Sequence, residues 1–269
     1  MKLEAIRIQN YRAIRKLHVK DLPSFMVVVG ANGSGKSTFF DVFGFLRDAL
    51  RGNVRQALDA RGRFQEVVTR GHENETILIE LLVRIPIAGS LRKVTYHLEI
   101  GLDDKRPSIR KEILRYTRGP RGRPFDFLSF TNGRGYAVRN EQDLSKRDEE
   151  LDRDDQVLDS PDILAIKGLG QFERFKAASA LRQLLENWHV SDFHIGAARG
   201  RKEATGTTEH LSETGDNLPR VAQYLYENHR EAFDVILAKM KRRVPGLAGV
   251  EPELTQDGYL ILRFRDGSF

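Results

Sequence analysis

The chain has 269 residues, enough for one large domain or two small ones around a buried core. It contains no cysteine, which excludes a disulfide framework and a thiolate metal site. Lysine and arginine total 44 against 38 acids, a net charge of +6 that permits nucleic-acid binding without requiring it.

The N-terminus, MKLEAIRIQNYR, has no apolar leader-like run, and no apolar stretch approaches membrane-spanning length. The reading is a soluble, cytoplasmic protein with no membrane partner. Leu3 to Ile8 alternates apolar and polar residues, and Ile14 to Val19 does so again. This predicts two strands joined by an Asn10-Tyr11-Arg12 turn. Pro23 and Ser24 interrupt the chain. Met26–Val29 is a short β-branched run, which predicts a buried parallel strand.

Gly30-Ala31-Asn32-Gly33-Ser34-Gly35-Lys36-Ser37 then forms a complete G-x-x-x-x-G-K-[ST] phosphate-binding loop. Glycines let the backbone curl so that successive N–H groups face an anion. Lys36 adds charge for the β- and γ-phosphates, and the Ser37 hydroxyl is placed to ligate Mg²⁺. Phe39, Val42, Phe43, Phe45 and Leu46 recur at helical spacing, predicting a helix to about Leu50. Its N-terminal dipole would add to the site.

Residues 51–71 are basic and glycine-punctuated, a predicted loop with a helical turn at Val54–Leu58. Thr76–Ile85 and Lys93–Ile100 predict strands around a Pro86-to-Ser90 turn. Ile109–Tyr116 and Phe125–Phe130 extend an antiparallel meander, with Asn132-Gly133 as a hairpin turn. Between Lys105 and Arg123 stand eight basic residues and one acid, Glu112. This hairpin is either a solvated strand face or a surface for phosphate backbones. Between Glu141 and Asp159 stand nine acids against Lys146, Arg147 and Arg153, an expected solvated loop or insertion. Ser160-Pro161-Asp162 signals a helix start. Helical periodicity covers Phe172–Asn187, and His189–Ile195 reads as a short strand. Leu218–Asn228 and Arg230–Arg243 are predicted helices, the second stopped by Pro245-Gly246. Val250–Gln256 and Tyr259–Arg265 form a hairpin around Asp257-Gly258.

The stretch IRIQNYRAIRKLHV…MVVVGANGSGKSTFFDVF resembles the N-terminal segment of the RecF/SMC/OLD group of ABC-type ATPase heads. That group carries an N-[FY]-[RK] turn ahead of a G-x-N-G-S-G-K-[ST] loop, followed by an acid on the helix, here Asp41. Val67-Val68-Thr69-Arg70-Gly71, Trp188–His194, Gly215–Leu218 and Val244-Pro245-Gly246 resemble the group's small predicted ATPases. The resemblance implies an α/β P-loop NTPase, an ABC-ATPase-like head with an antiparallel lobe-I sheet and a helical lobe. Residues 1–140 would be lobe I, 141–160 an acidic linker or insertion, and 161–269 the helical lobe and terminal hairpin.

The implied cofactors are ATP and Mg²⁺. Gly30, Asn32, Gly33, Ser34, Gly35, Lys36, Ser37 and Thr38 match the phosphate loop. Arg12 matches an arginine that reaches the nucleotide in the group. A surface salt bridge is the equal alternative. Thr69 and Arg70 correspond to a nucleotide-side loop, and Ser37 with Gln171 to the metal ligands. The group sandwiches nucleotide between two heads. A homodimer acting as a switch on DNA, RNA or an effector protein, in DNA repair or phage defence, is therefore expected. The alternatives are a nucleotide-gated scaffold with little hydrolysis and a small-molecule P-loop kinase.

The chain departs from the group in two motifs, the Walker B strand and the L-S-x-G signature. No stretch reads as a Walker B strand ending in Asp-Glu, so catalytic residues stay unassigned. Leu98–Asp104 is the nearest imitation, interrupted by Gly101. Leu211–Gly215 reads as a helix-capping loop rather than a signature motif. The expectation is the N-terminal portion of a longer ATPase, with little turnover alone. His189, His194, His210 and His229 have no zinc spacing.

Overall fold

A computed structural model describes residues 1–119, 122–139, 141, 143, 145–188, 202–203, 209–212 and 214–267. The chain divides into two compact units, Met1–Trp188 and His189–Phe269.

The first unit is built on eight antiparallel strands in the order β2-β1-β3-β4-β5-β6-β7-β8. They are β1 (Lys2–Tyr11), β2 (Ile14–Val19), β3 (Ile77–Ile87), β4 (Ser90–Asp103), β5 (Arg106–Tyr116), β6 (Phe125–Thr131), β7 (Arg134–Val138) and β8 (Arg153–Val157). Period-two alternation sets which face is covered. On β3, Ile77, Ile79, Leu81, Val83, Ile85 and Ile87 are all buried, while Glu80 and Arg84 alternate with them on the more open face. Five helices belong to the same unit: α1 (Lys36–Arg51), α2 (Val54–Asp59), α3 (Phe64–Val67), α4 (Ala165–Leu169) and α5 (Lys176–Glu186). Phe45, Leu46 and Leu50 of α1 join the strand residues in one core.

Three hairpins turn on two residues that both have positive φ: Ala88-Gly89, Asp104-Lys105 and Asn132-Gly133. That geometry matches the twist of the flanking strands. The pairs Ile87↔Ser90, Asp103↔Arg106 and Thr131↔Arg134 close them.

Several expectations are corrected. Met26–Val29 is not a buried strand: it pairs with no described strand, and Val27 and Val29 are 67% and 85% exposed. A parallel strand needs paired neighbours to satisfy its N–H and C=O groups, and no described strand pairs with this run. The acidic stretch is not a solvated linker. β8 extends the sheet from β7, Leu151 is buried, and Glu141 is 4% exposed. Charged residues are compatible with β8 because it is an edge strand. In residues 51–71 the expected helical turn at Val54–Leu58 is α2, a second short helix, α3, lies beyond that expectation, and Phe172 precedes α5 rather than starting it. Residues 161–188 fall in the first compact unit.

The second unit contains α6 (Leu218–Asn228), α7 (Arg230–Arg243), β9 (Lys202–Glu203), β10 (Leu247–Leu254) and β11 (Tyr259–Asp266), with sheet order β10-β11-β9. Both helices run as predicted. The strand expected at His189–Ile195 lies outside the described residues. Among the described residues no helix is long and apolar enough to cross a membrane.

Candidate functional site

The phosphate loop leads directly into α1. Gly35 is the residue before the helix, with φ 90°, and Gly33 has φ 80°. This left-handed region disfavours side chains. A Cβ on Gly30 would lie 2.9 Å from Ser34 Oγ, a contact that rotation of the serine hydroxyl would relieve. No side chain caps α1, and its first turn holds no acid. The first N–H groups of the helix are therefore left for an anion, and the dipole adds about half a positive charge.

Lys36 Nζ donates to Gly30 O and Ala31 O, both at 2.7 Å. An ammonium has three protons, so one is left for a ligand at the mouth of the loop. An open cleft of about 520 Å³ lies alongside, lined by Ile14, Leu17, Met26, Val28, Lys36 and Phe39.

The Asn10-Tyr11-Arg12 turn staples three segments together. Asn10 and Arg12 both adopt left-handed φ, 59° and 48°. The buried Asn10 amide faces the carbonyls of His72, Glu75 and Thr76 at 3.2–3.4 Å. The buried Tyr11 hydroxyl donates to Asp41 Oδ2 at 2.8 Å, and Arg12 Nη1 lies 3.1 Å from the same oxygen. Burial first, and the Asp41 carboxylate second, push the Tyr11 phenol up, so it stays a donor. Arg61 adds its Nε to Asp41 Oδ1 at 2.8 Å and its Nη2 to Asp48 Oδ2 at 2.8 Å. The residues after the turn abut the loop: a Cβ on Gly35 would lie 3.6 Å from Ile14 and 4.0 Å from Ala13.

Arg12 thus holds an ion pair with Asp41 of the loop helix, as the salt-bridge reading of it has it. Thr69 Oγ1 donates to Ile14 O at 3.4 Å, which brings its segment to the same turn, and Arg70 is exposed. Gln171 donates to Lys167 O at 3.1 Å, just after α4, and its described bonds do not join it to the phosphate loop. Among the described residues no cluster of three or more His, Cys, Asp or Glu could hold a metal. A cation here would rest on Ser37 and on its ligand's own oxygens. Sequence reasoning marked Asp41 only through resemblance and missed Arg61. A lone arginine in a glycine-rich stretch carries no local signal.

Other expected features find their places. Leu98–Asp104 lies in the β4–β5 hairpin, where Gly101 pairs with Ser108 and Asp103 with Arg106, so it is no parallel strand. In the 211–217 segment, Asn217 Oδ1 accepts from Ser212 N at 2.7 Å just before α6, and Asn217 gives that helix no side-chain cap. The basic hairpin is not a uniform phosphate-facing surface. Arg118 is buried, reaching Asp148 Oδ1, Asp143 O and Lys146 O at 2.6 Å each. Arg115 pairs with Asp126 across β5 and β6. Arg121 and two of the four histidines, His189 and His194, lie outside the described residues.

Residues 25–202, about two thirds of the chain, match a family described as "AAA domain, putative AbiEii toxin, Type IV TA system". No curated protein matches the chain.

Proposed function

The chain belongs to this AAA-domain family, a family of nucleotide-binding ATPase domains, and from that premise we propose an ABC-type head that binds Mg·ATP at Gly30–Thr38. Nucleotide-dependent pairing with a second copy would act as its switch. The observation that carries the reading is the uncapped, acid-free start of α1 behind two left-handed glycines, with Lys36 folded over the loop mouth. Backbone N–H groups and Lys36 would hold the phosphates, and Ser37 would share Mg²⁺ with their oxygens. Bound Mg²⁺ supplies charge neutralisation at the phosphates. The targets of the switch are nucleic acid or an effector protein, in DNA repair or defence. The toxin named in the family's description is one such effector class.

A nucleotide-gated scaffold is the second reading. It is favoured by Leu98–Asp104, which lies in an antiparallel hairpin instead of at the loop. Titration with Mg·ATP, phosphate release, and mass in solution with and without ATP decide between them. Binding with turnover supports the ATPase, and binding without turnover supports the scaffold. Binding indifferent to Lys36→Ala removes the site.

A further inference from the structure

We propose that Asp41 is a positioning residue of the nucleotide site, holding the Arg12 guanidinium against the phosphate-loop helix; the inference rests on the reading of Gly30–Thr38 as that site. Asp41 lies four residues after Ser37, so the two share a helix face. Its carboxylate takes three donors, Tyr11, Arg12 and Arg61. Two of these are committed elsewhere in the core. Tyr11 is fully buried, and Arg61 spends its other nitrogens on Ala57 O and Asp48. Arg12 is different. Its side chain is 35% exposed, and beyond Asp41 it has only a 3.5 Å approach to Arg61 O. These two partners leave donors of its five-proton fork uncommitted.

The backbone points the same way. Arg12 sits at φ 48°, a left-handed conformation unfavourable for a non-glycine residue, and its N–H is fixed to Val67 O at 2.6 Å. A guanidinium whose stem and one nitrogen are already ordered loses little freedom on meeting a phosphate. Asp41 supplies that order, and Arg12 supplies the contact.

The test is Mg·ATP titration of the full chain with melting curves for every variant. Wild type against Lys36→Ala judges the site first. Binding without Lys36 dependence overturns the site and the proposal together. With Lys36-dependent binding in hand, Arg12→Ala and Asp41→Asn should each weaken ATP about tenfold. The double variant should fall within about twofold of the weaker single, because the two act as one unit. Arg118→Lys, whose bonds run to Asp148, Asp143 and Lys146 and not to Asp41, should lower the melting temperature while keeping affinity within about twofold. Unchanged affinity in Arg12→Ala, or losses that multiply to about a hundredfold, overturns the Asp41 proposal alone. So does affinity that merely follows the melting temperature through all the variants, Arg118→Lys included. Should Asp41→Asn fail to fold, Arg12→Lys reads the same link. A compact ammonium cannot bridge both partners, so about a fivefold loss is expected. Wild-type affinity there overturns the proposal.

Discussion

The Tyr96 hydroxyl donates to Glu112 Oε1 at 3.1 Å, with both residues fully buried beneath α4. The same carboxylate accepts the N–H groups of Ala165 and Ile166 at 2.6 and 3.0 Å, and so caps a helix that has no cap of its own. Glu141 repeats the device on α5. It accepts from Tyr116 at 2.8 Å and from Ala177 N at 3.1 Å. A residue of β5 and one of the β7–β8 connection thereby close the N-termini of two helices that follow them in sequence.

Burial pushes both glutamates up from 4.5 to about 7, outweighing the N–H and tyrosine bonds that pull them down. A raised folded value means that the proton stabilises the fold. That stability is complete below about pH 4.5 and is lost as the pH rises through about 7, on the order of 1–3 kcal/mol for each group. Urea midpoints between those limits should fall with pH. Glu112→Gln with Glu141→Gln should flatten the slope, and an unaltered slope would exclude these groups as its source.

Lys36→Ala should weaken Mg·ATP binding by about 2–4 kcal/mol, or roughly 30- to 1,000-fold. The fold should hold, because Lys36 bonds only to Gly30 O and Ala31 O of its own loop. Isothermal titration beside a melting curve checks both halves.

Gly35→Ala should cost about 1–2 kcal/mol through its left-handed backbone. Crowding adds little, since the new methyl would meet Ile14 at an ordinary 3.6 Å. Nothing lies within 4 Å of a Cβ on Gly33, so Gly33→Asn should be tolerated better than Gly33→Val. Denaturant titration of the three variants ranks them, and equal losses would refute the backbone account.

Arg118→Ala should destabilise the first unit by about 2–4 kcal/mol, because it strands a carboxylate and two carbonyls. Lys105, Arg106, Lys111 and Arg123 are exposed. If the chain binds DNA or RNA through this hairpin, Arg106→Glu with Lys111→Glu should leave stability intact and lower the salt slope by about one per lost contact. A slope indifferent to both changes would move the interface elsewhere.

Local chemistry was legible from the residues alone. The phosphate loop and the Asn132-Gly133 turn each rest on positions that only glycine or asparagine takes cheaply. The period of the apolar residues marked the strands of the meander and both helices of the second unit. Pairing over long sequence distance was not legible. The acids of 141–159 look like solvent-facing chain until β7 offers β8 an edge and the N-terminus of α5 offers Glu141 its N–H groups. Met26–Val29 looks like a core strand until its neighbours are counted. Asp41 becomes a hub only once Tyr11, Arg12 and Arg61 converge on it from two other segments. A residue's propensity travels with it along the chain, whereas a hydrogen bond needs a partner that only the tertiary structure can bring.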